Sequence, residues 1–382
     1  MRLLVYTDYV YRRQDGSIYA ERAFALFLAE LQHHVDRLVI AGRLDPTAGS
    51  SHYRLPAELD FVPLPHYASL VDARASVPAM LRSLGRFWRA LRDVDTAWLL
   101  GPYALSVVFA ALAAVRSRRV ALGVRQDQPA YVRSRHPDRR WVHAAGDALD
   151  AVYRALARIW PVVVVGPQLA QRYRRSRALL PISVSLVRED QVVPVERALE
   201  RTYDGELVAL SVGRLDREKN PTLLAEVLAR LDPRWRLVVC GEGPMAEAVA
   251  ERLTELGVRD RAELRGYVPI DGELPALYRS SHALLHVSWT EGVPQVLFEA
   301  FAAGLPAVAT AVGGVADAAG DAALLVPPGD ADAAARAVER IGSEPELRTR
   351  LVTAGHAIVS TRTLESESER VARFLEGAPK GR

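Results

Sequence analysis

Short apolar runs alternate with stretches of helical period along nearly the whole chain, and the alternation is played out twice. In the first half the strand-like runs fall at 3–6, 37–41, 59–62, 96–100, 119–124 and 161–165. In the second they fall at 207–212, 236–240, 262–265, 283–287, 306–310 and 323–326. Helical stretches such as 20–32, 221–231, 245–256 and 331–341 lie between them. Alternation of this kind reads as βαβ units, whose crossovers force parallel sheets with helices on both faces. A chain of 382 residues is too long for one such domain and suits two of roughly 150–200 residues. The expectation is an α/β protein of two Rossmann-like, doubly wound domains facing a central cleft. Strand-like order lapses in the charged stretch 187–204, which sets the expected domains at 1–187 and 188–360, with a C-terminal helix at 362–377 completing the first.

Composition removes several classes of function. Hydrophobic residues make up 49% and charged ones 25%, enough for two ordinary cores. The net charge is only +3 and its basic side is mostly arginine, clustered at 12–13, 116–119, 133–140 and 172–177 without interleaved aromatics. Such clusters read as solvated faces rather than a nucleic-acid stripe. Cys240 is the sole cysteine, so no disulfide framework and no cysteine-based metal site exist. The chain opens on a strand without a basic-plus-apolar leader, so a cytoplasmic location is expected. The apolar run 98–115 approaches a membrane span in length, but Gly101-Pro102 divides it into a strand and a buried helix. The basic stretch 82–92, with Phe87 and Trp88, has the pattern of a helix lying on anionic lipid. Burial of Leu84, Phe87, Trp88 and Leu91 in the core is the preferred reading.

Ligands of open α/β sheets bind beyond the carboxyl ends of the strands, so the loops after the strands carry the functional information. The richest is 288–300, which reads Ser288-Trp289-Thr290-Glu291-Gly292-Val293-Pro294-Gln295-Val296-Leu297-Phe298-Glu299-Ala300. Pro294 stands where a helix begins, and the first N–H groups of a helix have no partner within it, so those of Gln295, Val296 and Leu297 can hold an anion. Carboxylates in a first turn ordinarily complement the helix dipole. Glu299 lies deeper, on an otherwise apolar helix, where a carboxylate requires hydrogen-bond donors. After the strand ending at Val212, the loop Gly213-Arg214-Leu215-Asp216-Arg217-Glu218-Lys219-Asn220-Pro221 puts two cations beside a helix start, suited to a diphosphate. A loop salt-bridged through Asp216 and Glu218 explains the same residues. Gly241-Glu242-Gly243-Pro244, Gly266-Tyr267-Val268 and Val312-Gly313-Gly314-Val315 follow further strands.

Taken in order, Gly213-Arg214-Leu215 with Lys219-Asn220, Gly241 to Pro244, Gly266-Tyr267-Val268 and Ser288 to Ala300 resemble the retaining GT-B glycosyltransferases of family four, the glycosyl transferases group 1. The resemblance is specific over 205–340 and only general before that. It implies a hexosyltransferase that uses a nucleoside diphosphate sugar, UDP or GDP, and a hydroxyl of a small-molecule, glycan or lipid-linked acceptor. It implies retention of configuration and neither a metal nor another cofactor. Arg214 and Lys219 would stabilise the departing diphosphate, and Glu291 would orient and stabilise charge, the three being the catalytic set. Gly16, Gly213, Glu242, Tyr267, Gly292, Val293, Pro294, Gln295, Val296 and Glu299 would complete the donor site, with Glu299 on the ribose.

The first half departs from the family. Its loop 9–17 has one glycine, Gly16, before the helix expected at 20–32, and Arg12 and Arg13 stand there as further cations. After the strand ending at Val124, Arg125, Asp127, Tyr131 and Arg133 are the candidate acceptor residues, although a turn closed by Asp127 and Pro129 accounts for the same pattern. The strings Asp93-Val94-Asp95 and Asp330-Ala331-Asp332 resemble metal-holding motifs and read as structural. The histidines at 33, 34, 143 and 286 have no metal-ligand spacing. Two alternatives share the general architecture: a GT-B sugar-nucleotide 2-epimerase and a non-catalytic two-domain sugar-binding protein. No nucleic acid is an expected partner, and peripheral membrane contact is not favoured.

Overall fold

The computed structural model describes residues 1–47, 53–67, 73–135, 138–270 and 272–378. The chain divides into two compact units, Met1–Val184 with Leu364–Arg382, and Ser185–Thr363. Each is α/β with a largely parallel sheet.

In the first unit the described strands are β1 (Arg2–Gln14), β2 (Ser17–Ala20), β3 (Arg37–Asp45), β4 (Tyr53–Arg54), β5 (Asp60–Pro65), β6 (Thr96–Gly101), β7 (Arg119–Val124), β8 (Val162–Val165) and β9 (Leu179–Ile182). The parallel path runs β5-β3-β1-β6-β7-β8-β9, so strand order reverses at β1. Strand β6 (TAWLLG) is buried along its whole length, the continuous apolar run that helices on both faces of a parallel sheet require. The core beside it is aromatic: Phe87 stacks on Phe109 with centroids 3.8 Å apart, and Tyr6 meets Phe109 edge-on at 4.7 Å. Helix Leu364–Glu376 belongs to this unit, with Val371 and Leu375 buried and the Glu367 carboxylate accepting from Ser183 N–H at 3.2 Å.

Three local expectations are corrected here. Strand β1 does not stop at Tyr6 but continues to Gln14, and its end pairs antiparallel with β2. The stretch expected to be a loop opening a helix is instead a hairpin turned by Asp15 (φ 48°) and Gly16 (φ 78°), the two positive φ values a type I′ turn demands. The following helix is Phe24–Glu30, shorter than 20–32. The stretch 82–92 lies in helix Ala73–Ala90 and the turn after it, with Phe87 and Leu91 fully buried, so this segment is committed to the core.

In the second unit β10 (Leu207–Val212), β11 (Trp235–Cys240), β12 (Ala262–Gly266), β13 (Ala283–His286), β14 (Ala307–Thr310) and β15 (Ala323–Val326) are all parallel. Their order is β12-β11-β10-β13-β14-β15, which reverses between β10 and β13. Helices Thr222–Arg230 and Ala331–Ser343 bury their leucine, valine and alanine faces on one side of this sheet. Helix Gln295–Ala302 buries Leu297, Phe298 and Phe301 on the other.

Candidate active site

A reversal of strand order opens a crevice beyond the carboxyl ends of the two flanking strands. In the second unit those strands are β10 and β13, and the loops that follow them are joined there: Trp289 N–H donates to the Glu218 carbonyl at 2.9 Å. The loops after β11 and β14 hold this pair from outside. Gly241, at positive φ, lies so close to the β10 loop that a Cβ would overlap the Gly213 carbonyl oxygen, and a Cβ on Gly313 would overlap that of Glu291. The glycines of the G-x-G-P and G-G strings are thus required by close backbone approach.

At the centre of the crevice Lys219 Nζ lies 2.5 Å from Glu291 Oε1. The same oxygen accepts from Ser288 Oγ at 2.8 Å and faces His286 Nε2 at 3.1 Å. Glu291 Oε2 has no hydrogen-bond partner among the described residues. Burial alone raises the Glu291 pKa, but His286 and Lys219 together outweigh it and bring the carboxyl down to about 2. Glu291 is therefore ionised throughout the physiological range, with one oxygen anchored and the other available to a hydroxyl. Arg214 extends from the same loop, with its side chain 64% exposed and paired to Asp216 and Glu218. Arg214 is thus salt-bridged within the loop, whereas Lys219 reaches Glu291.

Helix Gln295–Ala302 begins beside this cluster with Pro294 at its N-cap and no side-chain cap. Among the described residues the N–H groups of Gln295 and Val296 have no partner. The Leu297 N–H, expected to be free, donates to the Pro294 carbonyl at 3.3 Å. Gly292 is exposed and Val293 partly buried in the backbone that leads into the helix. The donor that Glu299 needs is Tyr278, whose hydroxyl donates to Oε2 at 2.6 Å. Burial raises the Glu299 pKa and Tyr278 opposes it. A cavity of about 40 Å³ adjoins this pair, walled also by Val187 and Leu274. Glu242 Oε1 accepts from Tyr267 N–H at 3.3 Å, tying the β11 and β12 loops together, and Tyr267 is 41% exposed.

In the first unit a polar cavity of about 290 Å³ lies beside the middle of β1 and beyond the ends of β6 and β7, again at the reversal of strand order. Pairing of β1 with β3 is interrupted between Tyr6 and Val10, and this irregularity contributes Asp8 and Tyr9 to the cavity wall. Asp8 accepts from Tyr67 and Tyr6 at 2.7 and 3.1 Å and pairs with Arg43 at 3.2 Å. Burial nonetheless raises its pKa. Arg125 and Tyr131 also line the cavity. The Arg125 guanidinium covers the Phe24 ring at 4.0 Å, its Nε has no partner among the described residues, and burial lowers its pKa to about 10.

The other two acceptor candidates have partners within the protein. Asp127 caps helix Gln128–Arg135 through the Ala130 N–H at 3.1 Å and bridges to Arg172 at 3.1 Å, so its carboxylate is used structurally. Arg133 pairs with Asp147 at 2.7 Å on the surface. Gly16 sits at the tip of the β1–β2 hairpin rather than at a helix entry. Both D-x-D strings are structural: Asp95 binds the Arg2 backbone and guanidinium, Asp330 caps helix Ala331–Ser343, and Asp332 pairs with Arg230. Among the described residues no group of three or more His, Cys, Asp or Glu side chains is placed to hold a metal ion.

The geometry adds residues that sequence reasoning passed over. His286 ends β13 and looked isolated along the chain, yet it touches Glu291. Its position at the end of an apolar strand, two residues before Ser288, was the available signal. Asp8 follows the apolar start of β1 in the same way, whereas nothing in the sequence links Tyr278 to Glu299.

Comparison with known proteins bears on the same region. A family model, Glycosyl transferases group 1, matches residues 193–357. Residues 193–357 are thus similar to that family. The family segment contains Lys219, Glu291, Glu299 and their partners. The lipopolysaccharide core biosynthesis glycosyltransferase LpsE of Rhizobium meliloti is 32% identical over 194 residues, covering 50% of this chain and 55% of LpsE. The chain thus spans about half the length of that relative. Among solved structures, sucrose-phosphate synthase from Thermosynechococcus elongatus superposes with a TM-score of 0.72 at 20% identity, covering 98% of both chains. Anabaena HepE, solved in complex with UDP, gives 0.71 at 16% identity, covering 98% of this chain and 100% of that one. At these identities the likeness establishes the fold, which is GT-B. Among the described residues no helix is long and apolar enough to cross a membrane.

Proposed function

We propose that this protein is a retaining glycosyltransferase that moves a hexose-type sugar from a nucleoside diphosphate sugar to an acceptor hydroxyl without a metal. The carrying observation is the Lys219–Glu291 pair, beside the uncapped helix start at Gln295 and Val296, within the segment that matches group 1 glycosyltransferases. An uncapped N-terminus and a lysine next to it form a diphosphate site with fixed positive charge. Arg214 joins it by exchanging its carboxylate partners in the loop for phosphate oxygens. These groups stabilise the charge that develops on the leaving diphosphate, the part a metal ion plays elsewhere.

Glu291 orients the donor sugar. Its free Oε2 accepts from a sugar hydroxyl, and a carboxylate held near pKa 2 by His286 and Lys219 is a weak base and a poor nucleophile, which favours front-face attack over a covalent intermediate. The other oxygen of Glu299 accepts from a ribose hydroxyl while Tyr278 holds the first. The nucleoside is uridine or guanosine, and the complex of HepE with UDP supports the former. The first unit receives the acceptor at the cavity of Asp8, Arg125 and Tyr131. The test is donor hydrolysis and transfer over a panel of UDP- and GDP-sugars, with the anomeric configuration of the product read by NMR. Inversion, or absence of turnover and binding with every donor, would refute the reading.

A further inference from the structure

Helix Arg140–Leu156 of the first unit is apolar on the side that faces away from the protein. Gly146, Asp150 and Tyr153 are its buried residues, and Ala157 continues that face. With 3.6 residues per turn, positions 141, 145, 148, 152, 155 and 159 lie on the opposite side. They are Trp141, Ala145, Ala148, Val152, Ala155 and, just past the helix, Ile159, and all are exposed. Trp141, Val152 and Ile159 are 60%, 43% and 53% exposed. An ordinary surface helix turns charged residues to solvent and apolar ones to the core. Here the solvent side carries an apolar stripe about five turns long.

The flank of the stripe is basic. Arg140, Arg154 and Arg158 follow along one side of it, and Arg154 and Arg158 form the wall of a cavity of about 330 Å³ completed by Arg172, Arg174 and Arg175. Arg154 and Arg172 are paired with the buried Asp150, at 2.9 and 2.8 Å. Arg158, Arg174 and Arg175 have no ion-pair partner among the described residues and are exposed. Asp147, the acid on the same flank, is paired with Arg133. Clustering unpaired cations beside an apolar strip costs energy in water unless an anionic, partly apolar surface covers both. A bilayer with anionic headgroups is such a surface: the stripe enters the headgroup–acyl boundary and the arginines meet phosphates.

We infer that helix Arg140–Leu156, with the arginine basin beside it, is a docking face for an anionic lipid bilayer. The helix lies in the plane of the membrane rather than crossing it. The basic, aromatic stretch 82–92, for which core burial is the preferred reading, has Phe87 and Leu91 in the core, whereas half of the exposed stripe is alanine, which does not draw notice. The attraction has two separable parts, an electrostatic one carried by Arg158, Arg174 and Arg175 and an apolar one carried by Trp141 and Ile159.

The experiment is sedimentation of the full chain with vesicles of phosphatidylcholine alone and of phosphatidylcholine with about 30 mol% phosphatidylglycerol, which gives the surface a negative potential. Binding to the anionic vesicles and weak binding to the neutral ones is expected, falling with added salt. Each of Arg158→Gln, Arg174→Gln and Arg175→Gln should lower partitioning about fivefold, and the triple variant about a hundredfold. Trp141→Ser with Ile159→Ser should lower it on anionic vesicles while leaving its salt dependence in place. Circular dichroism and the native elution volume show that the variants are folded. No binding to either vesicle, or binding unchanged in the variants, would overturn the inference. So would a concentration-dependent dimer of the wild type that Trp141→Ser converts to monomer, because the stripe would then be covered by a second copy of the chain.

Discussion

Replacement of Glu291 by glutamine tests the electrostatics of the second unit without knowledge of any substrate. The carboxyl pKa is lowered from 4.5 to about 2 in the folded protein. A folded value below the unfolded one means that the charged group contributes stability above pH 4.5 and loses it as the pH falls toward 2. The full shift corresponds to about 3 kcal/mol at neutral pH, and the side chain is only 9% exposed, so solvent screening is slight. Glutamine keeps the size and the hydrogen-bonding but does not titrate, and every other carboxylate is common to both proteins. The stability gap between wild type and Glu291→Gln should therefore be largest at pH 7 and smaller by about 1.4 kcal/mol at pH 3.5. Urea unfolding at the two pH values, followed by tryptophan fluorescence, measures the gap. A gap that stays constant or widens on acidification would refute the assignment of Lys219 and His286 as the groups that hold this carboxylate ionised.

Further outcomes follow from the same geometry. Turnover should survive EDTA, and loss of activity restored by Mg²⁺ or Mn²⁺ would show that the fixed cations are insufficient. Glu299→Gln should weaken nucleoside diphosphate binding by about 1–3 kcal/mol, as removal of a charge-assisted acceptor does, and unchanged affinity in calorimetry would remove Glu299 from the ribose site. Arg125→Gln should raise the acceptor KM while leaving nucleotide affinity intact. Asp127→Asn, in contrast, should act on stability, by about 1 kcal/mol for a weakened cap and lost ion pair, so selective loss of acceptor transfer in this variant would restore Asp127 to the acceptor site.

The sequence carried the parallel strands well and the departures from parallel order poorly. Strands such as β6 and β7 are buried on both faces and read as largely apolar runs, so their bounds could be placed closely. The continuation of β1 through Arg12 and Arg13 has one side open to solvent and a polar composition, which in one dimension looks like a loop. Strand β9 was missed because Pro181 interrupts its short run. In the second unit the loops that carry the glycosyltransferase motif could be read because each follows a strand directly. The partners of their carboxylates could not, since His286 and Tyr278 approach Glu291 and Glu299 only through the packing of β13 and helix Leu274–Ser280. Asp127 and Arg133 looked like ligands for want of their counter-ions, Arg172 and Asp147, which lie on separate helices.

The central claim is that the second unit binds a nucleoside diphosphate through Arg214, Lys219 and the start of helix Gln295–Ala302. Its most direct test is calorimetric titration of UDP and GDP into the full chain in EDTA, in parallel with Arg214→Ala, whose side chain is 64% exposed and whose loss leaves the core untouched. The account predicts saturable binding of one of the two nucleotides, weakened tenfold or more in the variant, about 1.4 kcal/mol or more. Absence of binding by both nucleotides, or equal affinity in wild type and variant, would contradict it.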